Sequence, residues 1–200
     1  MKRSLLIVIL ASFFAAGFIS DYAIAANITV ATFADPSPGS GSSLFTAKFG
    51  STKTLTGGWS GGGLTLNVPG HTYNDVKFAM PSISLTPVYT NIYTTGSGTI
   101  NFFDSDSNPL FVITFDSGML TPFGFGSNEM LENNVTIASD GITGTQGQFA
   151  FAFANLAPLP GGFSKGFTAT SSFSASAMIP EPATICLLSL CALSLIRRKK

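Results

Sequence analysis

From Phe149 to Ala154 the chain reads Phe-Ala-Phe-Ala-Phe-Ala. On a strand this places every Phe on one face and every Ala on the other, whereas a helix would scatter both around its axis. The segment therefore demands a strand with one buried side, and it reads as a strand over Gln148–Ala154. Other alternating stretches recur: Ile28–Val30, Leu44–Phe49, Leu64–Val68, Val76–Met80, Thr99–Phe103, Leu110–Phe115, Val135–Ile137 and Phe167–Ala177. Each reads as a strand, and Gly, Pro, Asn and Asp punctuate the intervals. Between residues 27 and 180, Ser, Thr, Gly and Phe dominate, while the long helix formers Glu, Lys, Arg and Gln are scarce. No helical period appears there. The pattern predicts an all-β fold, a single jelly-roll-like β-sandwich of about ten strands over residues 26–178.

Charged residues are only 10% of the chain, against roughly 25% in ordinary soluble domains. Mean hydropathy is +0.39, which at first suggests a membrane protein. The average misleads, because apolar and basic residues concentrate at the two ends. The body carries four Lys against eight acids, so it lacks the positive charge that nucleic-acid binding requires. Both Cys lie near the C-terminus, which leaves the body without a disulfide framework or a thiolate metal site. No cofactor is expected.

The N-terminus begins Met1-Lys2-Arg3 and continues with an apolar run over Leu5–Ile19. Ala23 and Ala25 then supply the small residues read by signal peptidase. Residues 1–25 are thus predicted to be a signal helix for the Sec translocon, cleaved after Ala25 or one residue later. At the other end Pro180-Glu181-Pro182 precedes an apolar run, Ala183–Ile196, and the cluster Arg197-Arg198-Lys199-Lys200. As a helix the run is about 21 Å long, short against a hydrocarbon core of about 30 Å. The basic cluster reads as a stop-transfer signal held on the cytoplasmic side. Cys186 and Cys191 read as apolar fillers of this helix.

Residues 179–200 resemble the PEP-CTERM sorting tail of bacterial surface and exopolysaccharide-associated proteins, also labelled an ice-binding protein C-terminal domain. The triplet, short hydrophobic helix and basic cluster occur in the family's order at the extreme end. The resemblance covers only the tail. It implies transient inner-membrane insertion, recognition by an exosortase-type enzyme, and delivery to the cell surface or extracellular matrix. The expected role of the body is structural or adhesive and not enzymatic. The alternative is a carbohydrate-binding module that grips matrix polysaccharide.

Candidate chemistry in the body is sparse. Gly58-Trp59-Ser60-Gly61-Gly62 matches a nucleophile elbow in form, but His71 is the only His and no later acid-then-His order exists. A Gly-rich turn is the simpler reading. Asp104, Asp106 and Asn108 stand at alternate positions, as oxygen ligands do in calcium loops; Pro109 and Phe115 replace the Gly and the closing acid. A hairpin turn is the simpler reading here as well. Glu129 and Glu132 lie close together, but the sequence sets no carboxylate spacing across a cleft. Trp59, Tyr89 and Tyr93 are the candidate sugar-stacking residues, with both Tyr predicted on one strand face around Asn91. The Thr-rich segments Thr52–Thr56 and Thr168–Thr170 are isolated, which argues against a regular ice-binding ladder.

Overall fold

Alternation decides the architecture: nearly every segment with a period of two became a strand with its apolar side buried. The computed structural model describes residues 26–34, 43–128, 134–139 and 142–179. The predicted signal segment with Ala23 and Ala25, Glu129, Glu132, and the predicted sorting tail with Pro180–Pro182 and Arg197–Lys200 lie outside the described residues. Regular structure in the described residues is entirely β. In chain order the strands are β1 (Ala26–Phe33), β2 (Phe45–Phe49), β3 (Lys53–Trp59), β4 (Leu66–Val68), β5 (His71–Tyr73), β6 (Lys77–Tyr89) and β7 (Ile92–Thr95). They continue as β8 (Gly98–Phe103), β9 (Pro109–Phe115), β10 (Met119–Thr121), β11 (Gly124–Ser127), β12 (Val135–Ser139), β13 (Ile142–Pro158) and β14 (Gly166–Ile179).

The hydrogen-bonded ladder closes on itself. β14, β2, β3, β6, β7, β10, β11 and β13 form a continuous ring of eight strands, because β13 returns to pair with β14. Two separate sheets would leave open edges, and a ring removes them. β6 and β13 are long enough to pair with two strands in succession along one edge. β6 meets β8 at Lys77–Ala79 and β7 from Leu85 onward. β13 meets β12 at Ile142–Gly144 and β11 at Phe149–Ala152. A second wall, β8-β9-β12, therefore spans from β6 to β13, while β1, β4 and β5 extend outward from β14.

Bulges let these two strands curve. In β13 the register slips between Thr145 and Gln148 and again between Ala154 and Ala157. Gln146 and Asn155 sit there with φ of 53° and 51°. An extra residue at such a point sharpens the twist and bends the strand. In β6 the residues Pro81 and Ser82 oppose Thr56 alone, so the missing proline N–H falls where the ladder is already interrupted.

The ring is filled by Phe. Phe151 packs edge-on against Phe45 at 4.8 Å and lies 4.7 Å from Phe173. Phe102 stacks on Phe111 at 4.3 Å, and Phe115, Phe125 and Phe149 form a second group. As the alternation predicts, Phe149 and Phe151 are buried while Ala150, Ala152 and Ala154 face outward.

Candidate functional site

The strand registers sort the candidate residues to two ends of the ring. Phe49 pairs with Lys53 at the start of β3, and Trp59 closes β3 six residues later, about 20 Å away at the rise of a strand. Trp59 pairs with Phe78, and Lys77 pairs with Phe103. The 104–108 turn thus shares Trp59's end. Tyr93 stacks on Phe49 at 4.7 Å, which places it at the opposite end. Trp59 and the tyrosines therefore cannot grip one small ligand together.

The predicted strand face holding both Tyr is corrected by a hairpin. β6 ends at Tyr89, Thr90 and Asn91 turn, and β7 begins at Ile92. Asn91 takes φ of 60°, a conformation Asn tolerates because its short amide bonds locally. Tyr93 turns inward onto Phe49, while Tyr89 points to solvent.

At the tryptophan end the polar groups of the 104–108 turn are engaged, whereas Trp59 Nε1 is buried without a hydrogen-bond partner. Asn108 donates its backbone N–H to Asp104 Oδ1 at 2.8 Å and its side-chain amide to Oδ2 at 2.9 Å. Lys77 Nζ donates to the Ser105 carbonyl at 2.8 Å and to Ser107 Oγ at 3.1 Å. The Asn108 side-chain bond is the main reason that the Asp104 carboxyl is held below its ordinary pKa. Burial is the next-largest influence and opposes it, while the backbone N–H groups of Asn108 and Asp106 and the Lys77 charge add to the lowering. Both Asp104 oxygens and the Ser105 carbonyl thus already accept hydrogen bonds, and the Lys77 ammonium is bonded to the same turn. No group of three or more His, Cys, Asp or Glu gathers among the described residues.

Ser60 follows the end of β3 and leads into a bend at Gly61–Gly62, with no helix after it. The Gly63 N–H donates to Asp75 Oδ1 at 2.7 Å, which pins this loop. His71 lies on outer strand β5, edge-on to Tyr73 at 4.3 Å. Elbow geometry is not formed. Trp59 is half-buried over an open concavity of about 500 Å³ that Ser43, Ser60, Gly61 and Phe78 also line.

At the tyrosine end three loops converge on a cleft of about 310 Å³ lined by Phe49, Asn91, Tyr93, Leu120, Thr121, Pro122, Leu156, Phe163 and Phe167. The loops around it carry large apolar side chains into water: Phe123 is 84% exposed, Tyr89 76%, Val88 62% and Phe163 54%. These residues are not loose. Thr121 Oγ1 accepts the Phe123 N–H at 3.2 Å, and the Phe123 carbonyl accepts the Phe153 N–H at 2.9 Å. The 159–165 loop is closed by Gly162 N–H to Leu159 O at 2.8 Å and Lys165 N–H to Gly162 O at 2.9 Å. Its Gly161 and Gly162 take φ of 97° and 89°.

A larger concavity of about 790 Å³ is an open trough on small side chains such as Ala150 and Ser174. It gathers no charged side chain, and the cleft between the loops is the better-built site. Sequence reasoning named Tyr89 and Tyr93 but missed Val88, Phe123 and Phe163. The readable signal was a large apolar residue set among turn formers, as in Thr121-Pro122-Phe123-Gly124 and Gly161-Gly162-Phe163-Ser164.

Fold and site define a closed all-β body with one apolar-tipped loop end. None of the protein-family models, curated proteins or solved structures compared with this chain matches it.

Proposed function

We propose that the chain is an exported bacterial protein with a structural or adhesive role at the cell surface or in an exopolysaccharide matrix, sorted by residues 179–200 and not an enzyme. The observation that carries this reading is the ordered tail: Pro180-Glu181-Pro182, then a short apolar run, then Arg197–Lys200, paired with an N-terminal secretion signal. The compact β unit Asn27–Ile179 supports it, since it occupies the stretch between those segments. Its partners in delivery are the Sec translocon, signal peptidase and an exosortase-type enzyme. A jelly-roll-like flattening of the ring belongs to the same proposal. Phe78 on β6 stacks with Phe151 on β13 across the ring, and this contact supports it. Deleting residues 179–200 is expected to trap or misdirect the protein; unchanged cell fractionation would sink the sorting claim.

A second reading rests on Trp59. A partly exposed indole beside Ser43, Ser60 and the open backbone of Gly61 is a platform on which a sugar ring can stack. A polysaccharide pull-down that Trp59→Ala abolishes supports this glycan-binding role, and retention by the variant refutes it.

A further inference from the structure

We propose that the tyrosine end docks onto an anionic phospholipid surface, with Val88, Tyr89, Phe123 and Phe163 entering the acyl boundary and Lys48, Lys53 and Lys165 meeting the headgroups. Four of the five large apolar side chains that are exposed among the described residues lie at this end, and Met119 is the other. They come from three separate loops that share one cleft, so they act as a set and not as scattered surface residues. Hydrogen-bonded turns hold two of the loops in place, which means that their apolar residues stay in water without a partner.

Charge selects the partner. Lys48 and Lys53 flank Phe49 on β2 and β3, and the Lys165 carbonyl accepts the Phe49 N–H at 2.9 Å. Three of the four Lys of the body thus lie at the same end of the ring as the cleft. No Asp or Glu occurs in the connecting segments 50–52, 90–91, 122–123 or 159–165. Among the described acids, Asp75, Asp104 and Asp106 lie at the tryptophan end, and Asp116 is bonded to Asn134 Nδ2 at 2.8 Å. Protruding apolar residues backed by lysines match a surface with a negative headgroup layer over hydrocarbon. An acidic polysaccharide fits less well. It would need several free polar groups in the cleft, and Thr121 Oγ1 is already engaged by the Phe123 N–H and the Gly124 carbonyl.

The test uses the full chain and a reporter local to the loops, so membrane association through other segments does not confuse it. Phe123→Trp, and separately Phe163→Trp, are made in a Trp59→Phe background. Each is mixed with vesicles of three parts phosphatidylcholine to one part phosphatidylglycerol bearing brominated acyl chains. The expected result is a blue-shifted emission quenched about twofold or more at both positions, with native Trp59 unquenched in the parent chain. Replacing Lys48, Lys53 and Lys165 together by Gln should raise the lipid concentration for half-maximal response about tenfold or more. Absence of quenching at both loops overturns the proposal, and so does equal quenching of native Trp59. A blue shift with soluble alginate but none with vesicles also overturns it and assigns the face to an acidic polysaccharide.

Discussion

The two ends of the ring solve opposite problems. At the tryptophan end polar groups tie the loops to one another: Asp75 holds Gly63, Asp104 holds Asn108, and Lys77 bonds the turn between β8 and β9. The tyrosine end has equally well-bonded loops but uses them to keep apolar side chains in water. Order alone therefore does not distinguish a structural end from a binding end. The difference is whether the ordered groups satisfy one another or point away.

The largest perturbation should break the comparison altogether. Phe151 lies between both groups of core rings, touching Phe45, Phe125 and Phe173. Phe151→Ala is expected to lower stability by about 3–5 kcal/mol, with Trp59 fluorescence and tyrosine-end amide exchange failing at the same urea concentration. Gly166→Ala should separate the ends. Gly166 has φ of 135°, open in practice only to Gly, and an added Cβ would collide with the Ala47 carbonyl. A loss of at least about 2 kcal/mol follows. Amide exchange should rise first in 159–166 while the 104–108 turn stays protected.

Acid should act on the tryptophan end selectively. The folded pKa of Asp104 is depressed, so its contribution is present above the unfolded pKa and is lost as pH falls through the folded one. The Asn108 amide resonance should shift across that acidic range, and Asp104→Asn should flatten the titration. The smallest expected effect is that of Phe123→Ser. Its unfolding free energy from urea titration should stay within about 0.5 kcal/mol of the parent, while binding of a hydrophobic dye falls; a large stability loss would show that Phe123 is packed and not presented.

Alternation made the inner face legible, since Phe149–Ala154 can bury only one side as a strand. It could not reveal closure, because ring-forming pairs such as Gly166 with Lys48 join residues far apart in sequence and leave no local signature. Pro81 caused a more specific error. A proline inside an apolar run suggests that the strand stops at Met80, yet β6 continues to Tyr89 by placing Pro81 in a bulge. The Tyr hairpin was hidden because Thr90-Asn91 lacks the Gly that usually marks a two-residue turn. At the site, Tyr93 could be named from sequence, but its stacking partner Phe49 is set by fold closure.

The pairing of β13 with β14 from Thr145–Met178 to Pro158–Phe167 also has a mechanical meaning. A pull on Ile179 directed along β14 loads that ladder in shear. Its hydrogen bonds then share the force and must fail together, whereas a pull across the strand would open them one at a time. A body tethered at this point would hold tension along one axis and yield readily along another.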